Sequence, residues 1–131
     1  MEEPIQELIA LLDQRFGVDA LWIFGSEARG QARADSDLDV AVLLRARPST
    51  LELLDAKAEA GLLVGRKVDL VDLERSSPLV AMQVLRHGHL MVDRNPSRRY
   101  RFVAAVPGRR EDVLRMRRPI EQHLMQRVTH G

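Results

Sequence analysis

Residues 25–39 read GSEARGQARADSDLD, and the reading of this stretch decides the fold. Gly25-Ser26 follows the apolar run ALWIF (20–24), ten residues intervene, and Asp37 and Asp39 then open the alternating segment DLDVAVLL. Glycine lets the backbone turn sharply and approach a ligand closely. Ser26 and the residues after it can open a short helix whose free N–H groups face an anion. DLDVAVLL alternates with the period of a strand, so Asp37 and Asp39 project from one face and Leu38, Val40 and Val42 from the other. A phosphate cradle beside two carboxylates on one face suits a nucleoside triphosphate and its magnesium.

Working outward, RARPST (45–50) is a loop in which Ser49 or Thr50 can cap a helix carrying Leu51, Leu54, Ala58 and Leu62 on one side, with Gly61 and Gly65 marking its end. KVDLVDL (67–73) reads as a third strand, with Lys67, Asp69 and Val71 on one face and Val68, Leu70 and Asp72 on the other. Either Asp69 or Asp72 could join the first two acids. Asp69 is the better candidate, because an uncompensated carboxylate between Val68 and Leu70 would be costly, whereas Asp72 is expected to be exposed near the strand end. Ser77-Pro78 caps and starts a helix that stops before Gly88, and HLMVD (89–93) is a fourth strand. Upstream, Ile5, Leu8, Ile9 and Leu12 recur at helical spacing from Pro4 to about Phe16, where Gly17 ends the helix.

The reading divides the chain into a core, residues 1–96, and a basic helical extension, residues 97–131, packed on the same domain. In the extension, SRRYRFVAAV fits helix or strand, Pro107-Gly108 is a strong turn signal, and Val113, Met116, Ile120 and Leu124 form a helical stripe across Pro119. Net charge is +1 overall but uneven. Residues 1–96 hold 11 Lys and Arg against 16 Asp and Glu, net −5; residues 97–131 hold 9 Arg against 3 acids, net +6. The basic end offers a solvated helix face or a docking surface for an acidic partner. With only Tyr100 and Phe102 as stacking rings, it argues against direct nucleic-acid binding. The absence of cysteine excludes disulfides and thiolate zinc sites, and no stretch reaches the length of a membrane span, so a cytoplasmic protein is expected. Trp22 reads as core, and His87 and His89 as residues at a helix end.

Gly25-Ser26, ten residues, Asp37-x-Asp39 and a strand aspartate at Asp69 together resemble the nucleotidyltransferase superfamily that includes DNA polymerase beta and kanamycin nucleotidyltransferase. FGSEARG, SDLDVAVL and KVDLVDL are most similar to the blocks of its smallest members, the minimal nucleotidyltransferases, and the likeness runs from about Leu8 to Arg94. The resemblance implies an α/β (α+β) fold: a mixed sheet of about four strands, helices mainly on one face, and a C-terminal helix. It implies that Asp37, Asp39 and Asp69 are catalytic and hold two magnesium ions, with Asp69 helping to take a proton from an acceptor hydroxyl. Gly25 and Ser26 would cradle the outgoing pyrophosphate of ATP. Arg29 matches the motif arginine, which contacts triphosphate or anchors the short helix.

Minimal nucleotidyltransferases also resemble antitoxins encoded beside HEPN-domain ribonuclease toxins. That likeness implies a protein adenylyltransferase that moves AMP from ATP to a tyrosine of its HEPN partner. Two other outcomes are compatible with the residues: an antitoxin that neutralises by occlusion alone, and a nucleotidyltransferase acting on small molecules such as antibiotics.

Overall fold

The computed structural model describes residues 2–25 and 37–106. Four strands, β1 (Val18–Phe24), β2 (Leu38–Leu44), β3 (Val68–Asp72) and β4 (His89–Asp93), form one sheet in the order β3-β2-β1-β4. β1 pairs antiparallel with both β2 and β4, and β2 pairs parallel with β3. The parallel pair requires a crossover, supplied by α2 (Thr50–Val64). The other helices are α1 (Glu2–Phe16), α3 (Pro78–His87) and a fourth, α4, over residues 96–106.

Local chemistry sets these boundaries. Gly17 stops α1 at a φ of +74°, and its N–H donates to the Asp13 carbonyl at 2.9 Å. Ser49 caps α2 in a reciprocal box: the Glu52 N–H donates to Ser49 Oγ at 3.1 Å, and the Ser49 N–H donates to Glu52 Oε1 at 2.9 Å. Those bonds also hold the Glu52 carboxyl below its usual range. Gly65 ends α2 in the left-handed region. Ser77 caps α3 with Pro78 in its first turn. Asn95 does the same for α4, its Oδ1 accepting from the Arg98 N–H at 3.2 Å. The stretch SRRYRFVAAV is therefore helical, because Asn95-Pro96 supplies a cap and a first-turn proline.

The sheet is apolar on both faces. Leu21, Ile23, Val40 and Val42 pack with Leu8 and Leu12 of α1 and with Ala56 and Ala60 of α2. On the opposite face Ala20, Trp22, Ala41 and Leu43 pack with Leu79, Met82 and Val84 of α3 and with Phe102 and Val106 of α4. The helices expected mainly on one face thus divide two and two. The physical reason is that β1 and β2 are buried on both sides, so each face needs its own cover. Fully buried leucines such as Leu8, Leu12 and Leu43 each contribute about 1.5–3 kcal/mol.

A second difference concerns α2. Only Ala56 and Ala60 are fully buried, while Leu51, Leu54 and Leu62 are exposed. The apolar stripe visible in the sequence faces outward, because two alanines let the helix lie close on the sheet. Ser26, Arg29, Ser36, the Pro107-Gly108 turn and the Val113 to Leu124 stripe lie outside the described residues.

Candidate active site

The acids converge at one end of the sheet through strand register. Antiparallel pairing sets Phe24, the last residue of β1, opposite Asp39, and parallel pairing sets Asp69 opposite Asp39. Asp39 and Asp69 therefore sit on neighbouring strands about 4.8 Å apart and share a face, since register partners in a ladder point the same way. Asp37 immediately precedes β2, on the side that alternation assigned to Asp39.

Gly25 closes the site from the β1 side. Its φ of +73° is left-handed, and a Cβ built on it would overlap the Asp39 carboxylate. Only glycine allows the backbone and the carboxylate to approach so closely.

Sequence reasoning missed three cations around these acids. Lys57 Nζ of α2 lies 3.6 Å from Asp69 Oδ1, and Lys67 Nζ lies 4.0 Å from Asp37 Oδ2, with both carboxylates half exposed. Arg66, which is buried, donates from Nη2 to the Asp37 carbonyl at 3.2 Å and fixes the backbone that leads into β2. Lys67 was visible on the Asp69 face by alternation. Lys57 and Arg66 carried no signal, because their approach depends on how the crossover returns to the sheet edge.

Among the described residues, no three His, Asp or Glu groups are gathered into a metal-binding cluster. The donor set nevertheless fits a hard divalent cation, which takes carboxylate oxygens, and the two lysines supply the positive charge that such a cation would bring.

Asp72 belongs to the other end of the sheet. It was expected to be exposed, but its side chain is only 8% exposed. The chain turns directly after β3: the Arg75 N–H donates to the Asp72 carbonyl, the Glu74 N–H donates to Asp72 Oδ1, and Arg75 folds back to 3.7 Å from the carboxylate. Burial raises the Asp72 pKa, opposed by the Glu74 N–H and by Arg75.

Asp72 lines a cleft of about 540 Å³ with Arg45, Arg75, Glu74 and Arg98. These arginines are engaged by carboxylates. Arg45 and Arg98 approach Asp19 at 3.1 and 3.0 Å, Arg98 also reaches Glu74 at 3.2 Å, and Arg75 holds Asp72. The network ties α4 to β1 and to the turn after β3, away from the acids of the site.

A family model described as polymerase beta, nucleotidyltransferase matches residues 6–97. The chain belongs to the polymerase beta nucleotidyltransferase family. Within this family of transferases it is 39% identical over 75 residues to the protein adenylyltransferase MntA of Thermococcus cleftensis, covering 57% of this chain and 76% of that protein.

Its fold matches a chain in a toxin–antitoxin crystal structure containing AMP-PNP, with a TM-score of 0.77, 21% identity, and coverage of 92% of this chain and 98% of that one. It also matches a chain in a complex of tri-AMPylated Shewanella oneidensis HEPN toxin with MNT antitoxin. There the TM-score is 0.76, identity 20%, and coverage 95% and 98%. At those identities the structural likeness speaks for the fold. Among the described residues, no helix is long and apolar enough to cross a membrane.

Proposed function

We propose that this chain is a magnesium-dependent protein adenylyltransferase, an antitoxin that transfers AMP from ATP to a tyrosine hydroxyl of a HEPN toxin. The observation that carries the reading is the register of Asp39 against Asp69 beneath Gly25, in a chain 39% identical over 75 residues to a protein adenylyltransferase.

Each residue then has a role. Asp69 accepts the proton of the incoming hydroxyl, whose oxygen attacks the α-phosphorus in line as the bond to the β-phosphate bridging oxygen breaks. Gly25 and Ser26, with Arg29, would receive the departing pyrophosphate. Asp37, Asp39 and Asp69 would hold two magnesium ions, which when bound neutralise triphosphate charge and stabilise the attacking and leaving oxygens. Lys57 and Lys67 balance the acids, and Arg66 keeps Asp37 in place.

The test is isotope partition with a HEPN-domain protein as the acceptor. Label from the α-phosphate of ATP should appear on the HEPN protein, and label from the γ-phosphate should leave as pyrophosphate. Label on the acceptor from the γ-phosphate alone would make the enzyme a kinase and end this reading.

A further inference from the structure

Asp69 is held by a cation that comes from the far side of the sheet. α2 buries Ala56 and Ala60 in the cluster of Val40 and Val42, whereas strand alternation places Asp39 and Asp69 on the opposite face. Lys57 of α2 nonetheless brings its Nζ to 3.6 Å from Asp69 Oδ1. It does so past β3, which ends the strand order.

The two lysines at the acids are not equivalent. The Lys57 side chain is 33% exposed and shares a shallow groove with Leu54, Ala58 and Val68, whereas that of Lys67 is 71% exposed and its Nζ lies 4.0 Å from Asp37 Oδ2. An aliphatic stem lying along apolar side chains holds its ammonium group in place and lessens screening by water, so Lys57 is the better-fixed charge. Asp37, Asp39 and Asp69 carry −3 and the two ammonium groups +2, and Arg66, bonded to the Asp37 carbonyl, brings the sum to zero. A site of low net ligand charge binds a divalent cation weakly.

We propose that Lys57 is a positioning residue that holds Asp69 in the nucleotide-free chain and makes the binding of a divalent cation there depend on nucleotide, an inference that rests on the nucleotidyl-transfer reading above. An ammonium group and a divalent cation against the same carboxylate repel each other. At about 5 Å a unit and a double charge oppose binding by a little more than tenfold even in the dielectric of water. The triphosphate carries the negative charge that offsets Lys57, Lys67 and Arg66, so nucleotide and cation enter together.

The experiment is titration with Mn2+, the free ion followed by electron paramagnetic resonance, with and without an ATP analogue bearing a methylene bridge between the α- and β-phosphates. Lys57→Met keeps an unbranched stem and removes the charge. Without nucleotide it is expected to bind Mn2+ about tenfold more tightly than wild type. Lys57→Arg should stay at the wild-type value, Lys67→Met should gain less, and the gain should vanish when Asp69→Asn is added to Lys57→Met. The analogue should narrow the difference between wild type and Lys57→Met. Lys57→Gln serves as the second variant should Lys57→Met lower the melting temperature.

Unchanged Mn2+ affinity in the nucleotide-free, folded Lys57 variants overturns the proposal. So does a gain that Lys57→Arg or Lys67→Met reproduces in full, or one that survives Asp69→Asn. Tight Mn2+ binding by wild type with the analogue would in those cases leave the proposed function untouched. If Lys57→Met shows the gain but wild-type chain transfers no AMP to a HEPN acceptor, the role of Lys57 stands and the proposed function falls.

Discussion

Replacing Gly25 by alanine tests the geometry of the site with an internal control. Gly25 and Gly65 have nearly the same backbone, φ +73° and +70°, but different surroundings. A Cβ at Gly65 meets nothing within 4 Å, whereas one at Gly25 overlaps an Asp39 oxygen and lies 3.1 Å from Asp39 Cγ. Both substitutions place a side chain in the left-handed region, at about 1–2 kcal/mol each. For a chain of this size that should lower the melting temperature by roughly 3–8 °C in either variant.

Only Gly25→Ala forces Asp39 to retreat. Restoring ordinary van der Waals separation moves the carboxylate by about 1 Å, and a misplacement of that size costs on the order of 100-fold in rate. The assay is the initial rate of AMP transfer to the HEPN protein, alongside thermal unfolding followed by circular dichroism. Gly65→Ala should keep transfer near wild type while Gly25→Ala loses it about 100-fold. Equal activity in the two variants would refute the placement of Asp39 against Gly25.

Other expectations follow from the same structure. Asp69→Asn should lower transfer by about 10²–10⁴-fold, the range for loss of a general base, with little change in urea midpoint because its ion pair with Lys57 is half exposed. Arg66→Ala leaves the Asp37 carbonyl without that donor and should destabilise the fold by about 1–3 kcal/mol in urea titrations, with slower transfer as the start of β2 loosens. Asp13 is held below its ordinary value of 3.8 by the Val18 N–H, with Arg94 and Arg45 adding to the effect. A depressed folded pKa gives stability that is present above pH 3.8 and lost as pH falls through the folded value. Asp13→Asn should thus unfold at lower urea than wild type at pH 7, with the gap narrowing below about pH 3.8; a gap that widens in acid would contradict the sign.

The sequence made the β2 and β3 faces legible because strand alternation has a fixed period, so Asp37, Asp39 and Asp69 could be assigned to faces before their strands were paired. Caps at Ser49, Ser77 and Gly17 were legible because their chemistry is local. Three features depended on packing instead. The two-and-two division of helices follows from β1 and β2 being buried on both faces, which an apolar run alone leaves open. The outward stripe of α2 was hidden because Ala56 and Ala60, not the leucines of that stripe, are the residues this helix fully buries. Asp72 looked like a strand-end residue bound for solvent, and its burial depends on the turn that brings Arg75 and the Glu74 N–H to it. Lys57 and Arg66 reach the site only through the return of the crossover, which no residue spacing announces.

The most direct test of the central claim is intact-protein mass spectrometry of the HEPN protein after incubation with this chain, ATP and magnesium, beside a variant carrying Asp37→Ala and Asp39→Ala. The account predicts a gain of one or more AMP masses on the HEPN protein with wild-type chain and none with the variant. An unchanged HEPN mass in a complex that still forms, or a gain that survives loss of both acids, would contradict it.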